Sequence, residues 1–243
     1  MIMNKTDYIS KMQGMIDEGI SNGTYQEADD DTLGELRRFQ DFLYRNFYKY
    51  KYYNKMRPDS NRPARLFGTA KTHKFESVDE VNVDNLKFRP IIDQTGTYTY
   101  NAAKIIADYL KPLCSNEYNI KDTQSFANML KAQDPLRDDE EYVSYDVESL
   151  FTNIPLEETI EYILHQIYVK KKLEPICSKL IFKRLLYKIT MECTFIFNKK
   201  FYKQIDGCAM GGPMSVTLSD IFMIKMENDV ILPEKPNILQ KIC

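Results

Sequence analysis

No stretch of this chain approaches twenty consecutive apolar residues, so no membrane-spanning helix is expected. The first ten residues, MIMNKTDYIS, lack the basic-then-apolar order of a secretion signal. An intracellular protein, nuclear or cytoplasmic and not secreted, is expected. Cysteine is scattered and odd in number, at Cys114, Cys177, Cys193, Cys208 and Cys243, with no CxxC pair. With two histidines in the whole chain, a zinc site is not expected, and the thiols read as reduced. No Gly-Lys-Ser/Thr follows a glycine-rich turn, which disfavours ATPase chemistry. Internal repeats and low-complexity tracts are absent as well.

What is present is a core-forming composition with uneven charge. Hydrophobic residues make up 43% and charged residues 28%, ordinary for a globular protein, and 243 residues suffice for a sizeable core. Net charge is −2, yet Arg37 to Lys74 holds eleven Lys/Arg against Asp41 and Asp59. Asp138 to Leu164 holds nine acids and no Lys/Arg. A basic lobe beside an acidic patch suits a protein that grips a polyanion with one part and binds cations with another. Taken singly, each run reads more readily as a solvated face.

The pattern predicts an α+β chain. Helices are expected over Asp7 to Ile20, Thr32 to about Met56, Thr97 to Cys114, Asp122 to about Gln133, Leu156 to about Lys171 and Ser178 to about Met191. Thr32 and Glu35 have capping-box spacing, and TYQEADDDT before them reads as an acidic connector. FRPIID and YVSYD read as short strands, and FIFNKKFYKQ as a hairpin turning at Asn198 and Lys199. Pro213 is expected in the first turn of a last long helix. Phe39, Leu43, Phe47 and Tyr50 form a helical core stripe. The tyrosines off that stripe, interleaved with Lys and Arg, can stack on bases.

Three blocks carry candidate chemistry. The strand Tyr142 to Asp146 delivers one carboxylate, with Phe151 five residues on. Asp146 and the next backbone carbonyl, Val147, offer hard oxygen ligands for Mg²⁺. In QIDGCAMGGPMS, Gly211 and Gly212 lack a Cβ, so a base or sugar can approach the backbone, and the helix after Pro213 adds donors. Lys71, His73, Lys74 and Arg89 are cations placed to clamp a triphosphate. Each block taken alone also has an ordinary structural reading as a strand end, a turn or a set of surface lysines.

Their order is more specific. LFGTAKTHK, RPIID, SYDVESLFTNIP and QIDGCAMGGPMS follow one another along the chain. This series closely resembles the reverse transcriptases of Penelope-like retroelements, relatives of telomerase, over roughly residues 62–227. Their pattern is YGLPKxHK, RPI, SxDVxSLFTNIP and QxDGxAMGxPxSP. The resemblance implies an incomplete right-hand polymerase fold: fingers and partial palm over 61–243, behind a helical basic and aromatic N-terminal region over 1–60. It implies RNA-directed DNA polymerase chemistry with Mg²⁺ or Mn²⁺, an RNA template, a DNA primer and dNTPs. Asp146 would be the catalytic and metal-binding aspartate, with the Val147 carbonyl beside it. Phe151 would exclude the ribose 2′-OH. Lys71 and Arg89 would meet the triphosphate, and Gln204, Met210, Gly211, Gly212 and Pro213 would line the nucleotide pocket. Arg62, Arg65 and Lys74 would contact nucleic acid.

The sequence also departs from that pattern. The Tyr-x-Asp-Asp hairpin that carries the second metal-binding carboxylates does not occur in these residues, and Ser215-Val216 stands where Ser-Pro is usual. Two ions with one carboxylate leave their repulsion largely uncompensated. The expectation is a truncated reverse transcriptase without activity of its own. The alternative is a non-catalytic nucleic-acid-binding protein derived from one.

Overall fold

The computed structural model describes residues 3–72, 86–120, 122–133, 135, 137–138, 141, 143–147, 149–234 and 241–242. In chain order its first half holds α1 (Lys5–Ser21), β1 (Tyr25–Ala28), α2 (Thr32–Phe47), α3 (Tyr53–Met56), β2 (Ala64–Ala70), β3 (Phe88–Asp93) and α4 (Tyr100–Leu110). Next come β4 (Asn119–Ile120), α5 (Thr123–Lys131), α6 (Leu150–Asn153), α7 (Leu156–Tyr168) and α8 (Lys179–Thr190). The last elements are β5 (Cys193–Phe197), β6 (Lys200–Gln204), α9 (Ser215–Met226) and β7 (Lys241–Ile242).

Five strands form one mixed sheet in the order β1-β6-β5-β2-β3. All neighbours are antiparallel except β2 and β5, which run parallel through Ala64–Phe195 and Arg65–Ile196. Asn198 and Lys199 both have positive φ, 44° and 68°, the backbone of a two-residue turn whose twist matches its strands. That turn sets Phe197 opposite Lys200. β5 ends at Phe197, so the parallel pairing is short, and further along β2 the Gly68 N–H donates to the Tyr8 hydroxyl of α1 at 2.7 Å.

Two apolar clusters hold the chain together. One lies between the sheet and α1 and includes Met12, Ile16, Tyr25, Leu66, Ile92, Phe195 and Tyr202. The other lies among the helices and joins Phe39, Leu43, Phe47 and Met56 to α4, α7, α8 and α9. Residues on both sides of position 60 therefore contribute to both. The predicted core stripe is met by Phe39, Leu43 and Phe47, which are buried, and Tyr50, which packs half-buried against them.

Four expectations are corrected. The helix opened at Thr32 ends at Phe47, not near Met56. Tyr50 N bonds Phe47 O and Tyr53 N bonds Tyr50 O, tight turns that fold Tyr50 onto Phe47 and deliver Met56 to the core. The capping box does not form: Asp31 is the N-cap and makes no side-chain capping bond, its carboxylate instead accepting from the Arg38 guanidinium at 2.6 Å, and the Glu35 carboxylate accepts from Thr194 at 3.4 Å. The acidic connector contains a strand, β1, whose Tyr25 pairs with Gln204.

The fourth correction concerns Asp146. Residues 143–147 are not a strand, and Val143, Tyr145 and Val147 are exposed at 62%, 89% and 42%. A strand exists by its ladder, and no neighbour is available here among the described residues. The outer edge of β3 is met instead by the glycine loop, where Ile92 N donates to Met210 O. No helix among the described residues is long and apolar enough to cross a membrane.

Candidate functional site

The loop between β6 and α9 is clamped on two sides. On one side the Cys208 N–H donates to the Phe151 carbonyl at 2.7 Å. Gly207, with φ +70°, packs so closely that a Cβ would lie 2.4 Å from the Thr152 carbonyl oxygen. On the other side the Ile92 N–H donates to the Met210 carbonyl at 2.7 Å. Gly211, with φ +114°, would place a Cβ 2.8 Å from the Ile92 carbonyl oxygen. Glycine at both positions is thus demanded by sterics and by backbone conformation together. The close approach expected of Gly211 is real, but its neighbour is β3.

The turn bearing Phe151 is itself fixed. Ser149 is left-handed at φ 53°, and its carbonyl accepts from the Thr152 hydroxyl at 2.9 Å and the Asn153 amide at 3.2 Å. Below the loop, the buried Gln204 donates from Nε2 to the Asp206 carbonyl at 3.0 Å. The Ser215 hydroxyl donates to the Ala209 carbonyl and closes the loop onto the start of α9. Pro213 sits in the turn just before that helix.

β2 and β3 extend this surface. Cross-strand partners share a face, so Arg65 and Asp93, Phe67 and Ile91, and Thr69 and Arg89 lie together. Phe67 is 41% exposed, and the Ile91 side chain lies 3.1 Å from where a Gly211 Cβ would sit. The half-buried Arg89 therefore stands on the face that leads to the glycine loop. Lys71 follows β2, its N–H bonded to the Lys87 carbonyl at 2.8 Å. His73 and Lys74 lie outside the described residues.

Arg62 also makes contacts within the protein. Its guanidinium pairs with the Asp93 carboxylate, and its N–H donates to the Gly96 carbonyl at 3.0 Å. Burial raises the Asp93 pKa, but hydrogen bonds from Thr95 and Arg62 outweigh it and leave it below the ordinary carboxylate value. Arg62 also lines a cavity of about 20 Å³ with Glu35, Gln94, Glu192 and Thr194, far too small for a nucleotide. Burial pushes the Glu35 carboxyl above its ordinary value there.

The structure thus brings together the Phe151 turn, the loop through Pro213, and the Arg89 face of β3. Asp146 is an exposed residue five positions ahead of Phe151, and among the described residues no hydrogen bond or ion pair joins it to them. Among the described residues no three His, Cys, Asp or Glu side chains gather to hold a metal. Asp146 and the Val147 carbonyl do not by themselves fit a pair of divalent ions, which calls for at least two carboxylates.

Sequence reading missed the Arg62–Asp93 pair, for which 31 residues of separation give no local signal. Asp206-Gly207 was legible as a turn dipeptide, but the packing of Gly207 against Thr152 was not. A model of the family described as reverse transcriptase (RNA-dependent DNA polymerase) matches residues 80–238. A search of curated proteins finds no match.

Proposed function

We infer the function of this chain from its kinship: it belongs to the reverse transcriptase (RNA-dependent DNA polymerase) family, whose model spans well over half of its length. At family level that means RNA-directed DNA synthesis on a nucleic-acid template and primer, with divalent metal ions. The observation that carries the reading to residues is the bond from Cys208 N–H to the Phe151 carbonyl. It ties the ring-bearing turn beyond Asp146 to the glycine loop, two blocks 57 residues apart in sequence. A pocket for a base-paired nucleotide needs such a wall and floor held in fixed register.

The finer assignment follows the ordered motifs and places the chain with the Penelope-like reverse transcriptases. Arg89 and Lys71 hold the incoming triphosphate, and Phe151 excludes the 2′-OH. Met210 to Pro213 support the nascent pair. Gln204 acts beneath the loop, by holding Asp206. Arg65 contacts nucleic acid, whereas the Arg62 guanidinium is committed to Asp93. Asp146, with the Val147 carbonyl, takes Mg²⁺ or Mn²⁺.

Residues 1–243 hold one of the carboxylate sets that two-ion transfer requires, so this polypeptide alone does not extend a primer. The test is incubation of the purified protein with a DNA-primed RNA template, dNTPs and Mg²⁺ or Mn²⁺. No product is expected. Extension that disappears in Asp146→Ala would overturn the inactivity. Filter binding of the same primed template should weaken in Arg65→Gln, and unchanged binding would overturn the nucleic-acid contact assigned to Arg65.

A further inference from the structure

Outside residues 80–238, the span matched by the family, the end of α2 carries an exposed aromatic and basic surface. Tyr44 and Tyr48 stand one helical turn apart and are 62% and 53% exposed. Their ring centroids are 5.7 Å apart, with 33° between the planes. Phe39, Leu43 and Phe47 of the same helix face the core, so packing does not account for two more rings held out in water. Arg45, Lys49, Lys51, Lys55 and Arg57 lie within the same stretch of chain, all exposed. No acidic residue occurs from Phe42 to Pro58, and Asp41 is the nearest carboxylate along the helix. Among the described residues none of the five cations joins an ion pair. The Lys49 ammonium lies 5.5 Å from the Tyr48 ring centre, and Lys51 lies 4.8 Å from that of Tyr52.

We propose that this surface is a docking platform for single-stranded nucleic acid, one base stacking on each of Tyr44 and Tyr48 while the basic run takes the phosphates. Exposed rings amid uncompensated positive charge fit a flexible polyanion that has π faces to offer. A duplex hides those faces in its own stack, so the platform discriminates against it. The reading is independent of the Asp146 site, because Tyr44 to Arg57 precede the matched residues 80–238.

The test uses the full 243-residue protein and fluorescein-labelled twelve-nucleotide oligo(U) and oligo(dT), with a twelve-base-pair duplex as control. Anisotropy titrations across a salt series give affinity and salt slope. The double variant Tyr44→Ser/Tyr48→Ser should bind single strands about tenfold or more weakly, and Tyr44→Phe/Tyr48→Phe should retain binding, because stacking survives loss of the hydroxyl. Lys49→Gln/Lys51→Gln/Lys55→Gln should lower the slope of log affinity against log salt by about 2, at roughly 0.7 per phosphate contact. Circular dichroism and thermal melting confirm that each variant is folded. The proposal is overturned if the serine variant binds as tightly as the parent, if the phenylalanine variant loses as much as the serine one, or if duplex binds as well as single strand. Equal affinity for oligo(U) and oligo(dT) supports stacking without reading of the 2′-OH. A preference confined to oligo(U) that the tyrosine variants leave unchanged overturns it.

Discussion

A methyl group at Gly211 would lie 2.8 Å from the Ile92 carbonyl oxygen, at a φ of +114° that L residues avoid. At Gly212 the nearest obstacle is the far end of the Gln94 side chain rather than backbone, and φ is ordinary. Gly211→Ala should therefore cost about 1–3 kcal/mol, and Gly212→Ala clearly less, by urea unfolding monitored with circular dichroism. Equal costs would mean that the loop is not seated on β3. Two carboxyls give opposite pH signs. Asp93 has its folded pKa below the ordinary 3.8. The stability it adds is present at neutral pH and fades as pH falls below about 4. Glu35 has its folded pKa above the ordinary 4.5 because of burial. The folded state favours its protonated form, and stability declines as pH rises past 4.5. Glu35→Gln should raise the urea midpoint at pH 7 and leave it nearly unchanged at pH 4, whereas Asp93→Asn should lower it at pH 7. Burial pushes the Cys177 thiol up to about 11, so it stays protonated at neutral pH. Site-resolved mass spectrometry should find it alkylated slowly in the native protein and fast in urea.

Elements whose signal is local were readable from sequence. Asp122 caps α5 through its carboxylate and the Ser125 N–H, and Ser178 precedes α8, both near the predicted positions. The hairpin was readable because the strand-favouring run Phe195-Ile196-Phe197 ends at a turn-forming Asn198. Elements that depend on distant partners were not. β1 is four residues of mixed polarity, and it is a strand because β6, some 175 residues on, receives it. The segment ending at Asp146 shows the converse, alternation without a ladder to join. At the site the loop, the Phe151 turn and Arg89 were all named from sequence, but the contacts between them were not. Lys199 supplies a test at this scale, since it holds φ 68° in a turn that glycine adopts freely. Lys199→Gly should stabilise the protein by about 0.5–1 kcal/mol. A loss of stability in thermal melting would show that the turn is not of this type.

Composition changes near residue 60, but the packing does not divide there. Met12, Ile16 and Tyr25 close the inner face of a sheet whose central strands come from 193–204. Phe39, Leu43, Phe47 and Met56 fill the space between helices drawn from 98–221. Removing residues 1–60 would expose Phe195 and Tyr202 on one side and the faces of α4 and α8 on the other. It would also strip the β6 edge of its Tyr25–Ala28 ladder, leaving unpaired backbone that invites association. Burial of this kind is worth several kcal/mol per large side chain, so Phe39→Ala alone should cost about 3–5 kcal/mol. A net stability of about 5–15 kcal/mol cannot absorb the loss of seven such residues. A polypeptide starting at residue 61 should therefore show no cooperative thermal transition and should aggregate, whereas the full chain melts in one transition with the same midpoint by near-UV and far-UV circular dichroism. A cooperatively melting 61–243 protein would show that the N-terminal helices are an appendage, and would move the Tyr44–Tyr48 surface off the polymerase body.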